Sequence, residues 1–327
     1  MKTYLRRMLV GLTAIAAGLV AVLPASTATA ATTKPNLVVP ADVHTVYQRF
    51  YGYPTQANPG VSVTGVAACP SGTRLVGMGA GNGTVGALSP VQNFTAVRMT
   101  GVVTWPSPTY GGNFIQVELL CAPAGQFTDV KTVQVVDHRA RNQRGFTGHY
   151  LRDVAKCPGG YYAFGGGGYF SNNTGAAESG FESAYWIIGN GPTPDGTGWA
   201  FTGQAPYDAE SMVVVTQCAP RVGQTLLNLT GTSTVPNPNP NDRKYESRAG
   251  YAHCPSGYTP ISGGWYIATP LGEQAYPIDA QNYIGTNVWS VGGPQTNDSS
   301  TGQLSWYANA TVMAGDKLEV LVQCIRP

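Results

Sequence analysis

Charge is scarce in this chain: only 11% of its residues are Asp, Glu, Lys or Arg. No basic run occurs, so the electrostatic footprint of a nucleic-acid or anionic-membrane partner is missing. Past Leu23 no apolar stretch approaches the ~18 residues of a membrane span, and the protein is not expected to be membrane-integral. Histidine is rarer still, with His44, His138, His149 and His253 the full set. No H-x-x-x-H or C-x-x-C spacing exists, which removes the common metal signatures. The G-x-S-x-G elbow of serine hydrolases is missing too. No segment has the periodicity of an amphipathic helix. No cofactor is expected.

Glycine, proline and tyrosine are plentiful instead, at 42, 24 and 18 residues. That is a composition of short strands and tight turns, as in exported β proteins. Residues 1–30 read as a secretory signal peptide. Lys2, Arg6 and Arg7 form a basic start, Met8 to Leu23 is apolar, and Ala28-Thr29-Ala30 is a small-x-small cleavage site. With those three bases removed from 19, 16 face 17 acidic residues, a net charge near −1. The remaining ~300 residues suffice for a large core or for two to three domains.

The six cysteines are organised by a repeat. Cys69-Pro70-Ser71-Gly72, Cys157-Pro158-Gly159-Gly160 and Cys254-Pro255-Ser256-Gly257 each open a block. Cys121, Cys218 and Cys324 close them. Proline after cysteine presets φ for the first corner of a β-turn, and the glycine relieves crowding where the chain reverses. Before each closing cysteine comes an alternating run. The positions two, four and six before it read Leu119, Val117, Ile115; then Thr216, Val214, Met212; then Val322, Val320, Leu318. Polar residues such as Gln116, Glu118, Gln217, Glu319 and Gln323 fall between them. A period of two means a strand with one face buried.

Trp199 and Trp306 precede their closing cysteines at similar distances, whereas the first block has Val102-Val103 there and Trp105 slightly late. Gly81-Asn82-Gly83-Thr84-Val85-Gly86 matches G-x-G-x-x-G. No helix is expected to open after it, so it reads as sheet glycine rather than a dinucleotide loop.

Six cysteines allow 15 pairings. The repeat favours Cys69–Cys121, Cys157–Cys218 and Cys254–Cys324. The alternative pairs neighbours, Cys121–Cys157 and Cys218–Cys254. The blocks run over 36–124, 125–230 and 243–327, with a Pro/Asn linker at 231–242. The pattern of Cys-Pro-x-Gly, Gly-Gly, Gly-Trp and an apolar strand into Cys resembles a repeat of secreted actinomycete proteins. Block two carries it through Cys157-Pro158, Gly165 to Gly168, Gly198-Trp199 and Val213 to Cys218. The resemblance implies a β fold and secretion, and no catalytic residues.

Sites are harder to nominate. Asp137, His138 and His149, with Asp153 nearby, form the one local group of metal-ligand types. Seventeen acids allow imagined glycosidase pairs such as Glu178 with Glu182, which nothing singles out. Trp265, Tyr266, Trp186 and Tyr169 are candidates for stacking on sugar rings, because large rigid rings give contact area at low entropy cost. The expectation is an all-β protein of three disulfide-stapled, sandwich-like repeats. The alternative places three sheets around a pseudo-threefold axis, prism fashion. The expected function is a secreted, non-enzymatic binding or cell-surface module for polysaccharide, cell wall or an extracellular protein. The alternatives are a hydrolase with an unrecognised site, or an inhibitor or toxin with tips at Asn190-Gly191-Pro192 and Gly293-Pro294.

Overall fold

Each repeat contributes strands in the same order. In the first they are β1 His44–Tyr51, β2 Gly60–Ala68, β3 Thr73–Gly81, β4 Thr84–Val91, β5 Ala96–Thr104 and β6 Phe114–Pro123. In the second they are β7 Lys131–Asp137, β8 Tyr150–Lys156, β9 Tyr161–Ser171, the short β10 Phe181–Glu182, β11 Trp186–Pro192, β12 Gly198–Gln204 and β13 Ser211–Pro220. In the third they are β14 Thr225–Thr234, β15 Tyr245–His253, β16 Thr259–Ala268, β17 Gly293–Gln295, β18 Ser305–Met313 and β19 Lys317–Arg326. The computed structural model describes residues 42–81, 84–91, 93–104, 113–126, 129–142, 150–172, 181–182, 186–220, 225–234, 245–268, 293–295, 305–313 and 317–326. The expected leader, the linker from Val235 to Asn241, Trp105, His149 and Glu178 lie outside them. The helical pieces among the described residues are 3-10 turns, Ala124–Gln126, His138–Asn142 and the residue Asp42 ahead of β1.

The protein is all-β, and its sheets are shared between repeats. One path runs β2-β5-β4-β9-β13-β7, with β10 beside β9. A second runs β14-β19-β16-β11-β12-β8. Two three-stranded pieces, β1-β6-β3 and β15-β18-β17, remain. Repeats one and two join where β4 meets β9, and repeats two and three where β11 meets β16. The cycle closes because β17 lies against β3. The second repeat thus shares a hydrogen-bonded sheet with each neighbour, while β1-β6-β3 and β15-β18-β17 stay within their own repeats and meet only by packing of β3 on β17. Lys34–Pro327 is accordingly one contact unit. β14 follows the second closing cysteine, yet it pairs along its whole length with β19 of the third repeat.

The turn after each first cysteine has one geometry. Thr73, Tyr161 and Tyr258 donate their amides to the carbonyls of Pro70, Pro158 and Pro255 at 3.1, 3.1 and 3.0 Å. Gly72, Gly160 and Gly257 have φ of 79°, 81° and 81°. Proline is therefore the first residue of the turn and not its first corner. Glycine is required at the third position because the backbone there is left-handed, as in a type II turn. All three disulfides follow the repeat, with Cα–Cα distances of 5.7, 5.6 and 5.7 Å.

The nine alternating positions before the closing cysteines are all fully buried. The tryptophans explain the glycine runs. A Cβ on Gly166 would lie 2.4 Å from Trp199, and one on Gly263 would lie 2.4 Å from Trp306. A Cβ on Gly168 would likewise collide with Phe201. Rings from one half of a repeat thus lie on bare backbone of the other half. Register corrects the reading of the first repeat. Val97 faces Ala67 as Trp199 faces Ala155 and Trp306 faces Ala252. Val97, not Trp105 or Val102-Val103, is the counterpart. Opposite it in the repeat, Met78 stands where Gly166 and Gly263 stand, facing Leu119 as they face Thr216 and Val322. A small-large pair has been exchanged for a large-small one, which conserves core volume. Little space remains on the axis. A cavity of about 20 Å³, lined by Met78, Asn190, Trp199, Trp265 and Trp306 among others, has room for one water.

Gln217 and Gln323 were expected on a polar face, yet both are fully buried. Gln217 Nε2 donates to the Leu75 carbonyl at 2.7 Å, and Gln323 Nε2 to that of Ala163 at 2.8 Å. Each therefore clamps the strand after the first cysteine of the preceding repeat. Arg74 Nε also donates to Gln217 Oε1. Gln217→Ala is expected to cost about 2 kcal/mol, because a buried carbonyl loses its donor. Urea denaturation of the oxidised protein measures it; a loss below ~0.5 kcal/mol contradicts the clamp.

Candidate binding face

The outer surface of β13 is closed and that of β19 is closed in part, Glu319 being half-buried there. Val213 and Val215 on β13 and Leu321 on β19 occupy outward positions and are buried. The corresponding surface of the first repeat is open, because polar and aromatic residues replace the valines. β1 runs antiparallel to β6 with Tyr47 opposite Glu118, Arg49 opposite Gln116, and Tyr51 opposite Phe114. Residues directly opposite share a face, as do residues two apart on a strand. Tyr47, Arg49, Tyr51, Phe114, Gln116 and Glu118 therefore form one surface.

The rings on it are exposed but ordered by their neighbours. Tyr47 and Tyr51 are each 56% exposed and Tyr53 is 73% exposed. The Tyr51 and Tyr53 rings are 12° from parallel with centroids 6.5 Å apart. Phe114 lies 5.6 Å from Tyr51 and supports it from β6. Gly52 holds the strand end in place, its amide donating to the Asn113 carbonyl at 2.8 Å. Arg49 Cζ lies 4.6 Å from the centroid of the Phe114 ring, and its Nε donates to Gln116 Oε1 at 3.0 Å. Packing on a ring and an amide fixes the guanidinium at low entropic cost.

Glu118 sits at the centre of this surface. Burial pushes its carboxyl up to about 7, and the hydrogen bond with Tyr47 pulls it partly back. Tyr47 is raised in turn, by burial first and then by the charge of Glu118 and their hydrogen bond. The folded protein thus holds the Glu118 proton more tightly than the free side chain, whose value is 4.5. The resulting stabilisation is complete below pH 4.5 and is lost as pH rises through 7. Glu118→Gln is expected to flatten the stability profile across this window. At pH 8 the variant should be more stable by about 1 kcal/mol, the full shift being reduced by solvent screening of a partly exposed group. Thermal melts at pH 5 and 8 measure it; parallel losses in both proteins contradict the assignment.

The residues nominated from sequence lie elsewhere. Trp265, Tyr266 and Tyr169 are buried, so their rings offer no face to a ligand. Tyr266 donates its hydroxyl to the carbonyls of Gly191 at 2.6 Å and Pro192 at 3.0 Å, which ties β16 to β11. Trp186 begins β11, and its side chain lies outside the described residues. Asp137 is buried in an ion pair with Arg139 at 2.6 Å, while His138 points into solvent. That pair closes the β7 end structurally. Among the described residues no group of three or more His, Cys, Asp or Glu could hold a metal ion. Asn190, Gly191 and Pro192 are sheet residues laddered to β12, and Gly293-Pro294 is laddered to β18, so neither is a free tip.

An open groove of about 620 Å³ between β8 and the β11–β12 turn is lined by Arg152, Asp153, Lys156, Thr193, Asp195 and Thr197. Its acids are already committed. Asp195 accepts from the Thr193 hydroxyl at 2.6 Å and from the Thr197 amide and hydroxyl at 3.0 and 2.8 Å, which holds its carboxyl below the usual range. Asp153 accepts from the Val154 amide at 2.8 Å. The groove is turn chemistry.

No family model and no curated protein matches this chain. Three disulfides in an all-β framework fit an extracellular protein. Among the described residues no helix is long and apolar enough to cross a membrane.

Proposed function

We propose that the protein is a secreted, non-enzymatic binding module that holds glycan or cell-wall material on its tyrosine face. The observation that carries this reading is the exposed, near-parallel Tyr51–Tyr53 pair, set on a disulfide-stapled sheet beside Arg49, Gln116 and Glu118. Sugar rings present apolar faces and a rim of hydroxyls, which suit aromatic planes flanked by amide, guanidinium and carboxyl groups. The leader-like residues 1–30 and the resemblance to repeats of secreted actinomycete proteins support export. Hydrolysis of glycosidic bonds is the less favoured reading. It needs two carboxyl groups about 5 to 9.5 Å apart, and Glu118 is the one carboxylate among the described residues of this face.

The test is retention on insoluble cell walls, chitin and cellulose. The unaltered protein is expected to bind at least one of them. Replacing Tyr51 and Tyr53 together by alanine should weaken binding about tenfold or more, from two lost stacking contacts. Retention of the variant equal to that of the unaltered protein removes the tyrosine face, and failure of the unaltered protein on every matrix removes the glycan reading.

A further inference from the structure

We infer that Glu118, which shares one face of the β1–β6 pair with Arg49, sets whether the tyrosine face takes a carboxylate-bearing glycan. This rests on the glycan reading above. Glu118 stands mid-face, between Tyr47 of β1 and Gly79 of β3. Among the described residues, the charged and titratable groups around it are few. β1 contributes Tyr47, Arg49 and Tyr51. β6 flanks it with Gln116 and Leu120, and β3 brings Gly77, Gly79 and Gly81, which carry no charge. Among the described residues, a ligand ring lying on Tyr51 therefore meets one cation, Arg49, and one acid, Glu118.

Arg49 uses Nε to hold Gln116, so its two terminal amino groups are placed to take a carboxylate. Whether that attraction prevails depends on Glu118. Neutral, Glu118 adds no opposing charge and offers a hydroxyl donor. Ionised, it repels the same carboxylate that Arg49 attracts. A sugar carboxylate stays charged throughout pH 5 to 8, since ordinary carboxyl groups titrate near ~4. The protein's group, raised to about 7 by burial, changes state inside that range. Glu118 is diagonal to Arg49 across the β1–β6 pair, and one like charge at the ~7 Å of a diagonal pair on a partly exposed face corresponds to about tenfold in affinity.

The test is titration calorimetry with soluble polygalacturonate and with neutral cellohexaose, at pH 5.5 and pH 8, on the unaltered protein and on Glu118→Gln. The unaltered protein should bind polygalacturonate about tenfold more weakly at pH 8, while the variant binds it equally at both values. Cellohexaose affinity should be the less sensitive to pH. Equal polygalacturonate affinity at both pH values overturns the inference, as does an equal fall in the variant. Binding of cellohexaose with polygalacturonate refused at both pH values overturns it while the glycan reading stands. Binding of neither soluble glycan overturns it too, and the glycan reading is then judged by retention on the insoluble matrices.

Discussion

Replacing Gly166 by alanine is expected to destabilise the protein by about 3 kcal/mol, among the largest effects available to one methyl group here. The new Cβ would stand 2.4 Å from Trp199 Cγ and 2.7 Å from the Val215 carbonyl oxygen. Neither neighbour yields cheaply. The carbonyl belongs to a strand paired on both sides, and the tryptophan ring is buried with its Nε1 donating to Asn190 Oδ1 at 2.7 Å. Gly159→Ala is the control, since nothing lies within 4 Å of a Cβ there. Chemical denaturation of the two variants under oxidising conditions measures the difference. Equal stabilities would remove the account of glycine as a seat for tryptophan.

The first repeat supplies a second arm of the same test. Val97→Trp alone should destabilise by about 2 kcal/mol, because Met78 occupies the seat. Adding Met78→Gly should recover part of that loss rather than deepen it. Such non-additivity is the signature of residues that share one volume.

Removing the Cys157–Cys218 bridge by replacing both cysteines with serine is expected to cost about 4 kcal/mol. The bridge spans 61 residues, between the 52 and 70 of the other two. Closing loops of this length restricts the unfolded chain strongly, so the three bridges should differ little from one another in this respect. Cys218 is fully buried, so the loss of its sulfur adds to the cost. Equilibrium unfolding of the serine variant decides the point, and a change below ~1 kcal/mol contradicts it. Each bridge also joins a turn to the strand that carries a clamp or its counterpart, Gln217, Gln323 or Leu120, so its loss should loosen the contact with the preceding repeat.

Much of the fold is legible in the chain. The three-fold phrase, the period of two before each closing cysteine and the favoured pairing of cysteines are local signals, and local signals survive without tertiary context. The candidate face is less legible. Its tyrosines lie outside the block motif, at the start of the first repeat, and nothing local distinguishes Tyr47, Tyr51 and Tyr53 from tyrosines that are buried. Trp265, Tyr266 and Tyr169 stand among glycines, which in a loop would imply exposure. In this sheet the glycines are the reason that large rings elsewhere fit inside. A signal was present in β1, where tyrosine, arginine and tyrosine recur at every second position. It lacked a partner until β6 placed Phe114, Gln116 and Glu118 opposite.

By itself the sequence indicated an all-β chain with one motif written three times, favoured the three staples that the structure has, and marked each turn by its proline and glycine. These follow from backbone dihedrals and alternation, which depend on near neighbours. Only the tertiary structure decided that neighbouring repeats complete each other's sheets, because strand pairing across repeats is a matter of register between distant segments. The same pairing decided which polar residues are clamps. Gln217 and Gln116 are both polar residues of closing strands, yet one meets a backbone carbonyl of another repeat and the other accepts from Arg49 on the open face. It also left one sheet surface open with its tyrosines outward, and set Glu118 among them where burial changes its charge.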